Sequence, residues 1–350
     1  MHVSDFDFDL PEELIAQHGL ADRDRARMLV LNRARARWQD STFSGFPFYT
    51  EAGDAVVVNN TRVFPARLKG VREASGGGIE LLLLREGEGG VWDALARPAR
   101  RLKAGDRLSF GAGRLRAEVV EVLPEGKRRL RFQHEEDFNS LLDEIGETPL
   151  PPYIKRDEGI EDEDRERYQT IFAHERGSIA APTAGLHWTP RVREELTARG
   201  VRLIEVTLHV GYGTFEPVRV EDLREHRVAA ERFEITEAAA RALNSTREGG
   251  KRIIAVGTTT ARALESAADE AGRVAATTNV GGERETDLTI TPGYEFRVVN
   301  GLLTNFHLPC SSLLFLVAAF AGREKVLAAY RHAVRERYRF YSYGDCMLIT

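Results

Sequence analysis

The stretch FRVVNGLLTNFHLPCSSLLFLVAAFAG, residues 296–322, reads as a strand that runs through a polar loop into a helix. An apolar run gives way to Asn305 and His307, and Cys310 with two serines then leads into a solid apolar segment. That segment, residues 313–321, is about half of the ~20 residues a membrane span requires, so it reads as a core helix. The same pattern recurs upstream. SIAAP is a strand-like piece followed by TAGLHW, with Thr189 as predicted N-cap, Pro190 at the first helical position and Gly200 closing PRVREELTARG. VRLIEVTLHVG alternates Ile204, Val206, Leu208 and Val210 with polar residues, which predicts a strand with His209 on its polar face. RIIAV then runs into GTTTARALESA, again strand to helix. Such units, with their polar residues in the loops after the strands, describe an α/β layer or barrel whose site lies at the C-terminal strand ends.

Between residues 64 and 148 the texture changes. Short β-rich pieces (ARLKGV, IELLLL, WDALA, DRLSF, LRAEVVEV, RLRFQ) are separated by turns such as SGGG, EGEGG and PEGK, with no helix between them. Closely spaced strands of this kind predict a small all-β barrel or sandwich. A chain of 350 residues has room for two domains. The expected division is a discontinuous α/β domain, residues 1–63 and 149–350, interrupted by an inserted β-barrel domain, residues 64–148. The acidic DEGIEDEDRERYQ that follows PLPPYIKR is expected to be a surface segment opening a helix.

The formal net charge of −5 argues against a uniformly basic surface, but residues 96–131 hold eleven Lys or Arg against four Asp or Glu. A local excess of this kind attracts phosphate backbones, which makes Arg100, Arg101, Lys127 and Arg129 candidates for contact with nucleic acid. A solvated strand face is the alternative. Two cysteines, Cys310 and Cys346, supply no disulfide framework, and the acidic N-terminus lacks the regions of a signal peptide, so a reducing, cytoplasmic location is expected. Nine scattered histidines form neither HxH nor HExxH, which speaks against a metal centre. His307 and Cys310 suggest a Cys–His nucleophile, yet a cysteine abutting an apolar helix is more often buried and inert. GYGTFE has Glu216 where GxGxxG needs glycine, and GTTTAR lacks the P-loop lysine.

What remains is a set of polar clusters. APTAGLHW holds Thr183, His187 and Trp188; LHVGYGTFEP holds His209, Tyr212 and Thr214; GTTTAR holds Thr258 and Thr259; TNFHLP holds Asn305, Phe306 and His307; RFYSYGD holds Arg339, Tyr341 and Asp345. Clusters that precede helices offer free backbone N–H groups to a carboxylate or phosphate. A single histidine is usually structural, but three in successive strand-end loops predict that His187, His209 and His307 converge on one pocket.

With LPEELIAQ, GDAVVVNNTRVFPARLKG, PLPPYIKR and RYQTIFAHERGSIA, these clusters run in order along nearly the whole chain. The chain resembles the S-adenosylmethionine:tRNA ribosyltransferase-isomerases of queuosine biosynthesis, the QueA family. The resemblance implies a discontinuous α/β domain with barrel-like character plus an inserted antiparallel β-barrel. It also implies transfer of the ribosyl unit of S-adenosylmethionine to 7-aminomethyl-7-deazaguanine in tRNA, giving epoxyqueuosine and releasing adenine and methionine. No metal, redox cofactor or membrane is implied, and S-adenosylmethionine is a consumed substrate.

Under the resemblance His187, His209 and His307 become acid–base candidates. Trp188, Phe306 and Tyr341 are candidate walls for the sulfonium. Asp345 is a candidate partner of the amine or a ribose hydroxyl. Arg339 and the GTTTAR turn are candidates for a carboxylate or phosphate, with Thr183, Tyr212, Thr214 and Asn305 as further substrate contacts. The alternative for RFYSYGD is that its aromatics close the core and Asp345 caps a turn. The chain departs from the family pattern at Ala229, where histidine is usual, at Trp188, where phenylalanine is usual, and in AQHGLADRD, which lacks a proline. A catalytically inactive tRNA-binding relative and a hydrolase using Cys310 stand as rival readings.

Overall fold

Strands with apolar residues on both faces must be covered on both, and four fully buried strands organise the larger part of the molecule. The computed structural model describes residues 1–156, 162–277 and 284–350. In chain order its first strands are β1 (Arg27–Asn32), β2 (Arg37–Thr42), β3 (Ala55–Asn59) and β4 (Thr61–Val63). A run of six follows: β5 (Arg67–Arg72), β6 (Gly78–Glu86), β7 (Val91–Arg97), β8 (Arg107–Phe110), β9 (Leu115–Val122) and β10 (Lys127–Gln133). Next come α1 (Phe138–Ile145), α2 (Asp162–Arg167), β11 (Glu175–Ser178), α3 (Pro190–Ala198), β12 (Arg202–Leu208), β13 (Glu231–Glu234) and α4 (Glu237–Glu248). The last elements are β14 (Ile253–Val256), α5 (Thr258–Ser266), β15 (Arg284–Thr286), β16 (Gly301–Asn305), α6 (Ser312–Ala321), α7 (Arg323–Arg335) and β17 (Cys346–Ile349).

Nine strands form one mixed sheet in the order β15-β13-β12-β3-β14-β16-β17-β1-β2. Every residue of β3, β14, β16 and β17 is buried. Alternation sends Ala55, Val57, Ala255 and Leu302 into a core shared with α4 to α7, and Val56, Val58, Val256 and Leu303 into one closed by α3, Phe43 and Phe46. Thr189 caps α3 by accepting from the Val192 N–H, with Pro190 at the first helical position as the sequence predicts.

The strands β5 to β10 close into a barrel in the order β10-β7-β6-β5-β8-β9, all pairs antiparallel. Closure leaves no edge, and β6 puts Ile79, Leu81 and Leu83 inside, where Leu141 and Leu142 of α1 join them. Gly70 is required in β5, since a Cβ there would lie 2.4 Å from the Phe110 ring and the Ser109 carbonyl.

Two predicted strands are shorter than their apolar runs suggest. In FRVVNGLLTN only Gly301–Asn305 is strand, because the Glu265 carboxylate takes the N–H groups of Arg297, Val298 and Val299 away from any ladder. In SIAAP only Ser178 belongs to a strand; its hydroxyl donates to the Ala180 carbonyl and Pro182 offers no N–H. Of DEGIEDEDRERYQ, residues 157–161 lie outside the described residues, and α2 follows them. Among the described residues no helix is long and apolar enough to cross a membrane.

The sheet register gathers the polar loops. β12, β3, β14 and β16 are successive parallel neighbours, so their C-terminal ends, and the loops after them, lie on one side. β17 runs antiparallel to β16 with Asn305 opposite Cys346, which brings the residues just before β17, RFYSYGD, to the same end.

Candidate active site

A cavity opens at this end. Thr183 and Ala184 open the TAGLHW turn on one side, Thr214 follows β12, and Thr258 and Thr259 begin α5. Thr304, Asn305 and His307 come from the end of β16, and Tyr341 and Ser342 from the loop before β17. Gly257 adopts φ +94°, and its N–H reaches the Leu303 carbonyl at 2.7 Å, which starts α5 directly against β16. The first N–H groups of α5 have no acceptor within the helix, so Thr258 and Thr259 present polar groups to the cavity.

Asn305 organises the floor. Its amide nitrogen donates to the carbonyls of Tyr341 at 2.8 Å and Ser342 at 3.1 Å, which leaves its oxygen facing His187 Nε2 at 3.0 Å. His187 therefore carries its proton on Nε2 and donates it to Asn305. Tyr341 has φ +74°, a left-handed conformation costly for a bulky residue, and the two amide contacts hold it there. Its ring centroid lies 3.9 Å from that of Tyr153, and the Tyr153 hydroxyl bonds to that of Ser342.

The two buried histidines differ from free imidazole for stated reasons. Burial takes His187 down to about 4, against the opposing help of Asn305 and with the nearby cations Arg339 and Arg23 adding to the shift. Burial alone takes His307 down to about 3. Both are neutral near pH 7. His307 Nε2 lies 2.8 Å from Thr304 Oγ1, and its backbone N–H donates to the Tyr330 hydroxyl.

The three histidines do not meet around one cavity. His307 lines it, His187 stands behind Asn305, and His209 lies elsewhere. Alternation past the end of β12 turns Val210 toward the cavity, so His209 points to the other face, its Nδ1 2.8 Å from Thr61 Oγ1. The His209 ring also fills the space beside Gly177, where a Cβ would come within 2.6 Å of it.

Other sequence expectations are corrected in the same way. Trp188 is fully buried among Phe43, Phe46 and Phe172, and Phe306 among Tyr330, Tyr338 and Phe340, so neither ring is a wall of the cavity. Asp345 caps a turn: its two oxygens accept the N–H groups of Arg27 and Arg339, each at 2.8 Å, and burial pushes its carboxyl above the ordinary value. Arg339 donates to the His18 carbonyl and acts on His187 only through its charge. Tyr212 lines a neighbouring cavity. Cys310 is half-buried with φ +55°, and burial and the charge of Asp7 push its thiol up, the opposite of an activated nucleophile. In the basic segment Arg129 is held by Asp93 and Glu121, each at 2.9 Å, and Lys127 by Glu125 at 3.1 Å. Arg100 and Arg101 are exposed on a one-turn 3-10 helix.

Sequence reasoning missed Tyr153, Ser342 and Thr304. Tyr153 stands in PLPPYIKR, whose prolines signal extended chain but not which cavity the tyrosine enters. A buried pair was also missed. Glu231 accepts from the Gly211 N–H at 2.9 Å and the Thr214 hydroxyl at 3.3 Å, while its other oxygen pairs with Arg262 of α5, itself donating to the Leu288 carbonyl. This pair fixes the loop that carries Thr214 against the helix that carries Thr258.

The family model described as "Queuosine biosynthesis protein" matches residues 3–349. The chain belongs to this family. It is 49% identical over 349 residues to the S-adenosylmethionine:tRNA ribosyltransferase-isomerase of Desulfitobacterium hafniense, and equally so to that of Acetivibrio thermocellus, with all of each chain covered. The crystal structure of S-adenosylmethionine tRNA ribosyltransferase from Thermotoga maritima superimposes with a TM-score of 0.54 at 38% identity, covering 99% of this chain and 100% of that one. The fold of this chain, a large mixed sheet with a closed six-stranded barrel, thus has a solved counterpart in that structure.

Proposed function

We propose that this chain transfers and isomerises the ribosyl unit of S-adenosylmethionine onto 7-aminomethyl-7-deazaguanine in tRNA, giving epoxyqueuosine-tRNA with release of adenine and methionine. The observation that carries the reading is the cavity in which the TAGLHW, GTTTAR, TNFHLP and RFYSYGD loops meet in a chain that the family model matches over residues 3–349. The bonds made run from the amine nitrogen of the base to a ribosyl carbon, between two ribosyl carbons as the carbocycle closes, and from oxygen to carbon as the epoxide forms. The bonds broken are the glycosidic bond to adenine, the furanose carbon–oxygen bond and the carbon–sulfur bond to methionine; of the two protons lost, from C5′ and from the amine, one leaves on adenine and one goes to solvent.

The sulfonium acidifies the adjacent C5′ protons, so the first step is removal of one of them. His307 is the base, because of the three histidines it is the one that lines this cavity. His187 orients Asn305 and through it Tyr341. The Tyr153–Tyr341 ring pair faces the cation, worth roughly 0.5–2 kcal/mol per ring. Thr258, Thr259 and Thr183 hydrogen-bond the polar ends of the substrate.

Residues 1–63 and 149–350 form the catalytic domain, and residues 64–148 a barrel domain whose Arg100 and Arg101 meet tRNA phosphates. The enzyme works in the cytoplasm with no resident metal or redox cofactor. Incubation with S-adenosylmethionine and tRNA bearing the aminomethyl base, followed by nucleoside mass analysis, tests the reading. Epoxyqueuosine in the tRNA, with one adenine and one methionine per modified nucleoside, is the expected result. Absence of adenine release overturns it.

A further inference from the structure

A second cavity adjoins the first on the barrel side. The chain alternates between them: Pro152, Ile179 and Tyr212 face the second cavity, while Tyr153, Ala180 and Thr214, one or two positions on, face the first. Its other wall is the outer face of the barrel, where two rungs of neighbouring side chains point outward. On one rung Leu82 of β6 stands opposite Leu95 of β7 and Arg67 of β5; on the other Glu80 stands opposite Arg97. Glu80 is also 3.9 Å from Arg67 Nε, a buried nitrogen that makes no hydrogen bond. No ion pair engages Arg97 among the described residues.

The chemistry of this cavity is that of a guanine reader. Leu82, Leu95 and Ile179 give an apolar bed for a flat ring and Tyr212 a stacking face. A carboxylate accepts from the two adjacent N–H groups of a guanine Watson–Crick edge, and a guanidinium beside it donates to the O6 carbonyl. A phosphate would have no use for Glu80, and an apolar ligand would offer nothing to either Glu80 or Arg97.

We propose that this cavity holds the 7-aminomethyl-7-deazaguanine base, with Glu80 on its N1 and N2 groups, Arg97 or Arg67 on O6, and its aminomethyl arm passing beside Tyr153 and Thr214 into the first cavity. The inference rests on the reaction proposed above and names where its acceptor sits. The arrangement keeps the base on the barrel and the ribosyl donor on the α/β sheet, and the two meet across the Tyr153–Ala180–Thr214 wall. Arg100 and Arg101 follow Arg97 by three and four residues, so the strand that presents the base leaves over the basic turn.

The test is steady-state kinetics of the full chain with tRNA bearing the aminomethyl base, comparing Glu80→Gln with the parent. The sign is diagnostic, because removing a surface carboxylate near a polyanion tightens binding, whereas removing a base reader weakens it. The expected result is a KM for tRNA about 10–100-fold higher, the scale of one bidentate base contact, with KM for S-adenosylmethionine and the thermal midpoint unchanged. Arg97→Ala raises the KM for tRNA in the same way. An unchanged or lower KM for tRNA in Glu80→Gln, or a rise confined to S-adenosylmethionine, overturns the assignment. If the parent enzyme releases no adenine, the reaction itself is wrong, and that outcome is distinct from a failure of the subsite.

Discussion

Lowering the pH from 7 to 5 imposes a definite cost on two buried imidazoles. His187 and His307 are held down to about 4 and about 3, against 6.5 for the free side chain. Between those values and 6.5 the unfolded chain binds protons that the folded chain refuses, so unfolding becomes easier as the pH falls. The stability these groups contribute is complete above 6.5 and is lost progressively as the pH drops toward the folded values. Integrating from pH 7 to pH 5 with an unfolded value of 6.5 gives about 1.9 kcal/mol for each histidine, and about 3.7 kcal/mol for the pair. Over this window the result scarcely depends on the folded values, since both lie at or below about 4. The perturbation is His187→Asn and His307→Asn, neither of which titrates, and the assay is urea unfolding followed by tryptophan fluorescence at both pH values. Each variant is destabilised at pH 7 by its lost hydrogen bond, but its difference between pH 7 and pH 5 should shrink by about 1.9 kcal/mol relative to the parent. A pH difference identical to the parent's in both variants would show that these imidazoles are protonated, or exposed, in the folded protein.

Asn305→Ala strands the Tyr341 and Ser342 carbonyls and the His187 donor, so a loss of about 2–4 kcal/mol in urea unfolding is expected. Turnover should fall by about 10²-fold as the Tyr341 turn relaxes. Trp188→Phe removes a ring that never reaches the cavity, so calorimetric affinity for S-adenosylmethionine should stay at the parental value while the thermal midpoint drops. Replacing Arg100 and Arg101 together by Ala should flatten the salt dependence of tRNA binding by about 1–2 in logarithmic slope, whereas Lys127 and Arg129, already paired, should contribute less. Cys310→Ser should leave turnover unchanged and resistant to alkylating agents; inactivation of the parent by thiol alkylation at Cys310 would revive nucleophilic chemistry there.

The local sequence determines more of this molecule than its site. The barrel was legible because short β-rich pieces separated by Gly-rich turns between residues 64 and 148 are properties of adjacent residues, although the helix α1 inside that range was not read from them. The α3 cap at Thr189 and Pro190 and the strand-to-helix passage from β14 into α5 were legible for the same reason, since each is settled within a few residues. The polar loops were identifiable as a set, because parallel strands must present their C-terminal ends together.

Which side chains of those loops face the cavity was decided only by the tertiary structure. A single step along extended chain reverses direction, so Val210 enters and His209 does not, while Trp188 and Phe306 turn into aromatic cores supplied by segments far away in sequence. Asp345 reads equally well as a ligand or a cap until the N–H groups of Arg27 and Arg339 are seen to occupy both its oxygens. The carboxylate of Glu265 ends a strand that apolar periodicity would have extended, from 32 to 34 positions away. The sequence by itself determined the elements and the end of the sheet where chemistry gathers, because those follow from short-range periodicity and strand direction. The tertiary structure decided which atoms meet there, because burial and hydrogen-bond pairing depend on partners that no local window contains.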